Sequence, residues 1–316
     1  MKKILKSLAY TFSFLVNFIF KKLNIFIIYR FGNAIGDQLC MTAIVEKLYD
    51  DFSYKVIVFS SYPEFFINNP KVYKNYCLKD KNRFLAIFLR RALSIFQGEN
   101  IVNFCFPVSN GGLEKYMRES KAKISLIEAH SLHFKIKLDL KNTKPKIYFS
   151  EDEIKIYEKK FEFLPKNFAI IQPIGKTTYT PNKEWGFDKF QNVVEKTKEI
   201  NWVQSGLKDD LLLKYVLDLR GETKSLRELA FLISKADFVL CLEGLLNHLA
   251  AAVNTKSFVV FSGFSQIELA KYDTSVAISK NPQIECSPCW LRENCPKEKK
   301  YCTEDILVED VVESVV

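Results

Sequence analysis

Apolar and polar residues fall into two kinds of block along this chain. Short continuous apolar runs, at residues 25–29, 55–60, 101–106, 168–173, 202–205 and 238–242, lead into loops that often carry Gly, Asp or Lys. Segments with helical spacing follow several of them, at about 38–49, 84–96, 151–161, 187–199 and 225–234, and one more is expected just after Gly206, with Lys208, Asp209 and Asp210 in its first turn. Continuous rather than alternating apolar runs are the pattern of strands covered on both faces by helices, as in parallel sheets. Ser225 followed by Glu228 has the spacing of a capping box at the start of its helix. The clearest unit is 236–263. There a run at 238–242 ends at Glu243-Gly244, a helical segment with the consecutive alanines Ala250, Ala251 and Ala252 comes next, and a second run occupies 257–261. Strand, tight turn, helix and strand make a βαβ unit with parallel strands, and alanines let the helix lie close on the sheet.

Strands and helices alternate through both halves of the 316 residues. Between the halves, residues 135–165 mix Lys, Asp, Asn and Pro with little apolar periodicity until the segment near 151. The predicted fold class is therefore α/β, with two Rossmann-like domains, 23–150 and 151–316, facing a central cleft. Apolar residues make up 48% of the chain, enough for a buried core and against bulk disorder. The formal net charge of +9 favours anionic partners without choosing among phosphates, acidic glycans, lipids and nucleic acid.

Residues 1–22 set an apolar stretch, 8–20, between Lys2, Lys3 and Lys6 on one side and Lys21 and Lys22 on the other, with no acid among them. The stretch is short against the roughly 20 residues of a bilayer span. No small-x-small cleavage site follows, as a signal peptide needs. The pattern fits a membrane-associating helix lying in the interface, with lysines among anionic headgroups. A helix packed on the protein's own surface, or a true span, are the alternatives.

Five groups of residues are candidates for chemistry. Asp37 sits where the loop 31–37, with Gly32 and Gly36, runs into its helix. A carboxylate there is either an N-cap or a general base projecting into the cleft. Thr177, Thr178, Thr180 and Lys183 form a polar loop at a strand's carboxyl end ahead of a helix, where hydroxyls and an ammonium suit a diphosphate, unless the loop is simply solvated. Glu243, Gly244 and Asn247 fall at the carboxyl edge of the βαβ unit, with His248 one turn further in. Cys286, Cys289, Cys295 and Cys302 have the spacing C-x2-C-x5-C-x6-C, open to a closed structural metal site, to reduced thiols or to a disulfide. His130 and His133, three apart, have a spacing that permits a joint role, with ordinary core or acceptor-side residues as the plainer reading.

In order, the Gly36-Asp37 loop, Lys183-x-Trp185, Gly206 with Asp209, the Glu243-Gly244…His248-Leu-Ala-Ala-Ala block and the terminal cysteines resemble glycosyltransferase family 9, the ADP-heptose:lipopolysaccharide heptosyltransferases and their relatives. The resemblance implies a GT-B fold, with an acceptor-binding N-terminal domain and a C-terminal domain for the nucleotide sugar. It implies Asp37 as general base, and Thr177, Thr178, Lys183, Asp209, Glu243, Gly244, Asn247 and His248 around the nucleotide sugar. The commoner family block reads Asp-Ser/Thr-Gly with the histidine three residues after the glycine. Here His248 is one residue further on, closer to a Glu-Gly-Gly variant in which Leu245 replaces a glycine.

The implied reaction is an inverting transfer of a heptose or related sugar, with ADP-heptose as donor and a lipid-linked or lipopolysaccharide-core glycan as acceptor. It needs no catalytic cofactor, and zinc or iron at the four cysteines would be structural. The expected place is cytoplasmic, peripheral on the inner face of the bacterial inner membrane. A transferase for capsule or protein glycosylation and a catalytically silent sugar-nucleotide binder are the alternatives. Nucleic acid is not an expected partner, because the cysteines have no adjacent basic helix.

Overall fold

The computed structural model of the protein describes residues 2–77, 83–107, 112–281 and 283–316, with side chains described from residue 12 onward except within 78–86. Contacts divide the chain into two compact units. One comprises Met1–Leu113 with Ile127–Phe149, the other Glu114–Leu126 with Ser150–Val316.

The first unit begins with α1 (Lys2–Lys22), β1 (Ile25–Arg30), α2 (Ile35–Phe52), β2 (Lys55–Ser60) and β3 (Val72–Cys77). After these come α3 (Arg83–Ile95), β4 (Ile101–Asn103), α4 (Gly112–Ser120), most of which groups with the second unit, and α5 (Leu126–Ser131). Its sheet has the order β3-β2-β1-β4, all parallel. β1 is almost wholly buried, as its unbroken apolar run requires. The sequence does not announce β3, because its residues VYKNYC are half polar and largely exposed, as an edge strand allows. The run expected at 101–106 pairs only as far as Asn103. The Phe104 N–H still bonds the Tyr29 carbonyl at 2.8 Å, after which the chain turns out of the sheet.

α1 packs one face on this unit. Val16 and Phe20 lie on the cluster of Ile27, Tyr29, Leu93 and Ile101, and the Phe12 ring is 5.5 Å from Phe96. Buried Asn17 donates to the Phe96 carbonyl and accepts the Asn100 N–H, both at 2.9 Å. The opposite face leaves Phe14, Leu15, Phe18 and Ile19 exposed. Among the described residues no helix is long and apolar enough to cross a membrane.

The second unit continues with α6 (Glu151–Lys160), β5 (Ala169–Gln172), α7 (Phe187–Lys196), β6 (Trp202–Gln204), β7 (Leu217–Asp218) and α8 (Leu226–Lys235). β8 (Phe238–Leu242), α9 (Leu245–Ala252), β9 (Lys256–Val260), β10 (Ser275–Ile278), α10 (Tyr301–Glu304) and α11 (Val308–Val315) complete it. The six strands are parallel in the order β10-β9-β8-β5-β6-β7. The βαβ unit read at 236–263 is present as β8, α9 and β9, with Ala250, Ala251 and Ala252 buried. Ser225 caps α8 by accepting the Glu228 N–H at 3.1 Å. The return bond of the expected box goes instead from the Lys224 N–H to the Glu228 carboxylate.

The helix expected after Gly206 does not form. The Asp210 carboxylate takes the Leu207 N–H at 2.7 Å, a local turn that competes with helix initiation. Buried Gln204 then holds the Leu211 carbonyl at 2.7 Å and the Leu213 N–H at 2.8 Å, keeping the segment extended and Leu213 in the core.

Candidate functional site

In an open parallel sheet, ligands meet the carboxyl ends of the strands where the order of connection reverses, because loops from the two neighbouring strands diverge there. Each unit has one such point. It lies between β1 and β4 in the first sheet and between β5 and β8 in the second. Asp37 lies at the first of these points, and Lys183 and Glu243 lie at the second.

At the β1/β4 point the loop 31–34 leads from Arg30 into α2. Gly32 adopts φ +105°, a conformation that side chains rarely take. Fully buried Gln38 fixes the loop. Its amide donates to the Gly32 carbonyl at 2.8 Å, and its carbonyl oxygen accepts from Ser60 Oγ and the Ser61 N–H, both at 2.7 Å. The N-cap of α2 is Ala34, with no side-chain cap, and Asp37 stands within the first turn. The capping alternative for Asp37 is therefore replaced by a different arrangement. Its Oδ2 receives the Arg30 guanidinium and lies 3.2 Å from His130 Nε2. The Asp37 side chain is 22% exposed, against 8% for Arg30 and 3% for His130. Asp37 thus keeps access to solvent while its partners are enclosed. Arg30 also donates to the Phe104 carbonyl, and His130 Nδ1 accepts the Phe106 N–H at 3.1 Å. Burial lowers the His130 pKa below the usual imidazole range, against the opposing pull of Asp37. The joint role of the two histidines is not seen at Asp37. Only His130 reaches the carboxylate, and His133 lies beyond α5 with its ring edge-on to Phe134.

At the β5/β8 point, Gln172 is in register with Cys241, so the loops after β5 and β8 leave side by side. Lys183 Nζ lies 2.7 Å from Glu243 Oε1, and Ser265 Oγ donates to the same carboxylate at 3.0 Å. The ammonium also sits 4.9 Å from the Phe264 ring centroid. Thr180 and Asn182 pin this loop to the C-terminal segment. Thr180 Oγ1 and Asn182 Nδ2 donate to the Leu291 carbonyl at 2.7 and 2.8 Å. Thr177 and Thr178 are exposed in the turn before it.

The remaining candidates stand apart from the Lys183–Glu243 pair in kind. Asn247 is fully buried, accepting from Ser257 and Ser275 at 2.9 and 2.8 Å and donating to the Ala270 carbonyl, so its side chain ties α9 to β9 and β10. His248 is buried with Nδ1 2.6 Å from the Tyr272 hydroxyl. Asp209 is exposed in the turn after Gly206. Gly244 precedes α9 in extended backbone, φ 171°.

The four clustered cysteines are free thiols. Among the described residues no group of three or more His, Cys, Asp or Glu is arranged to hold a metal ion, so the structural-metal alternative for these cysteines has no ligand geometry behind it. Their segment braces the loops after β5 and β9. The Cys289 and Trp290 N–H groups donate to the Gly263 and Phe264 carbonyls, both at 2.9 Å, and Trp185 Nε1 donates to the Ile306 carbonyl at 3.0 Å.

The family model for glycosyltransferase family 9 (heptosyltransferase) matches residues 78–301, more than half of the chain. Among solved structures, a family 9 glycosyl transferase from Veillonella parvula DSM 2008 is similar at TM-score 0.66 and 13% identity, covering 92% of this chain and 95% of that one. ADP-heptose lps heptosyltransferase II of E. coli is similar at TM-score 0.62 and 15% identity, covering 92% and 97%. The iron-containing dodecameric glycosyltransferase TibC of enterotoxigenic E. coli H10407 is similar at TM-score 0.63 and 14% identity, covering 92% and 74%. A complex of TibC with ADP-D-beta-D-heptose is similar at TM-score 0.59 and 14% identity, covering 92% and 76%. At these identities the structures share the fold, GT-B with two parallel sheets. No curated protein matches the sequence.

Proposed function

This chain belongs to glycosyltransferase family 9, and from that premise we propose that it transfers a heptose or related sugar from a nucleotide sugar, ADP-heptose foremost, to a hydroxyl of a lipopolysaccharide-core-type glycan. The observation that carries the reading is the Arg30–Asp37–His130 cluster, a partly exposed carboxylate held by two enclosed side chains at the switch point of its sheet. ADP-heptose is the ligand of TibC, which shares the fold.

In the proposed reaction Asp37 takes the proton of the acceptor hydroxyl as the acceptor oxygen bonds to the anomeric carbon. The bond from that carbon to the diphosphate oxygen breaks, and the nucleoside diphosphate leaves with its electron pair from the opposite face, inverting the centre. Lys183, held by Glu243, and the start of α9 would offset the negative charge growing on the diphosphate. Thr177, Thr178 and Asp209, exposed in their turns, are open to the sugar and ribose.

The acceptor reading extends to an anionic membrane surface on the inner face of the bacterial inner membrane. Its support is the outer face of α1, with Phe14, Phe18 and Lys22, together with exposed Phe88 and Arg91 on α3. The alternative, another nucleotide sugar used for capsule or protein glycosylation, is favoured by Leu245 where the variant block has a glycine.

Asp37→Ala tests the mechanism. Turnover of ADP-heptose with deacylated lipopolysaccharide core should fall by two orders of magnitude or more, about the size of a general-base contribution, with the ADP dissociation constant unchanged. Retained turnover would remove Asp37 from the chemistry. Thermal-shift screening against a panel of nucleotide sugars should show the largest stabilisation with ADP-heptose.

A further inference from the structure

The histidine beside Asp37 is held in a way that decides what it can do. A backbone N–H can only donate, so His130 Nδ1, 3.1 Å from the Phe106 nitrogen, must be the unprotonated acceptor of the ring. In a neutral imidazole the proton then sits on Nε2, the atom 3.2 Å from Asp37 Oδ2. An imidazolium would carry protons on both nitrogens and set one against the Phe106 N–H. The ring is 3% exposed and meets Phe104 edge-on, with centroids 5.2 Å apart, so it has little room to flip. The same short segment serves the other partner, since Arg30 donates to the Phe104 carbonyl as well as to Asp37 Oδ2.

We propose that His130 is a positioning residue for Asp37, a neutral imidazole locked in one tautomer whose Nε2–H fixes the direction of the carboxylate that takes the acceptor proton. This rests on Asp37 as the general base. His130 itself neither stores nor relays the proton, because the only nitrogen able to take one faces a backbone donor. Arg30 and His130 bind the same carboxylate oxygen from two elements, β1 and α5, so the carboxylate is oriented by a frame anchored on Phe104 and Phe106. A base pre-aimed in this way loses little freedom when the acceptor arrives.

Two substitutions separate this role from a packing role. Glutamine places its amide nitrogen near Nε2 and can keep the bond to Asp37. Asparagine places its carbonyl oxygen near Nδ1 and can keep only the bond from Phe106. The full-length protein is assayed with ADP-heptose and deacylated lipopolysaccharide core, and melting temperatures are measured alongside. We expect His130→Asn to lower kcat about 10- to 100-fold, the worth of one hydrogen bond to a charged group, with KM for the donor unchanged. His130→Gln should recover most of that loss. Equal kcat in the two variants, or a lower kcat in His130→Gln than in His130→Asn, would overturn the positioning role. If neither variant folds, nitrogen-15 imidazole shifts of the wild-type protein decide, a tractable measurement with 3 histidines in the chain. The Nε2–H tautomer persisting to well below pH 6.5 supports the proposal, and an Nδ1–H tautomer or an imidazolium near neutral pH overturns it. The Asp37→Ala assay stands apart. Retained turnover there overturns the base assignment, whereas an inactive Asp37→Ala beside a fully active His130→Asn overturns only the role of His130.

Discussion

Lys183, proposed to meet the donor diphosphate, is paired with Glu243. The pair is 20% and 9% exposed, and Ser265 shares the carboxylate, so Glu243 would keep one hydrogen-bond donor if the ammonium were lost. Lys183→Ala is therefore expected to lower ADP affinity about 10- to 100-fold by calorimetry, from the loss of a charge-assisted contact, with little change in melting temperature. An unchanged affinity would move the diphosphate elsewhere. Among single residues, the sequence shows chemistry-bearing types at loop starts, and Asp37, Lys183 and Glu243 were legible on that ground. It does not show their partners. Arg30 lies seven positions from Asp37 and His130 lies 93 positions away, so the contact depends on β1 and β4 being sheet neighbours. Gln38, which clamps the Gly32 loop, left no local signal, since a buried glutamine in a helix looks like any helix former.

Among elements, the reversals of strand order explain why the two candidate clusters lie where they do. The apolar runs showed seven of the ten described strands, leaving out β3, β7 and β10, and strand order is a matter of pairing that cannot be read from periodicity. Two of the missed pieces share a cause. β3 and the segment after Gly206 are shaped by exposed or polar groups, the latter by the Asp210 and Gln204 side chains, whereas apolar spacing reports only what is buried. α1 shows the same limit, because its spacing was legible while its use was not. One face belongs to the core, so deleting residues 1–22 would strip Val16 and Phe20 from it and leave the Asn100 N–H unpaired. A cleaner test of membrane docking alters only the outer face. Phe14→Glu with Phe88→Glu, at positions 72% and 67% exposed, should leave the melting temperature unchanged. The double change should lower partitioning onto phosphatidylglycerol vesicles at least tenfold, since each buried Phe is worth about 2 kcal/mol. Undiminished binding would assign that face to something other than lipid.

For the whole molecule, stability should follow the buried titratable groups. His130 and His133 have folded pKa values below 6.5, both chiefly through burial. The unfolded chain then binds more protons below that pH, so stability is full above about 6.5 and declines as pH falls through their folded values. On the alkaline side, burial raises Cys241 from 9.0 and Tyr29 from 10.0, each to about 12. The unfolded chain loses these protons first, so stability should decline above about pH 9. Urea midpoints measured from pH 5 to pH 10 should therefore peak between 7 and 9, and a midpoint still rising at pH 10 would contradict the burial of Cys241 and Tyr29. The grouping of 114–126 with the later half has a further bearing on how the protein can be dissected. Buried Gln266 donates to the Met117 carbonyl at 2.9 Å, and Arg292 pairs with Glu114. A fragment beginning at residue 150 would forfeit both, so one cut of the backbone cannot yield two self-sufficient halves. Whoever wishes to study the second unit alone must supply the 114–126 strap as a separate peptide or splice it onto the fragment.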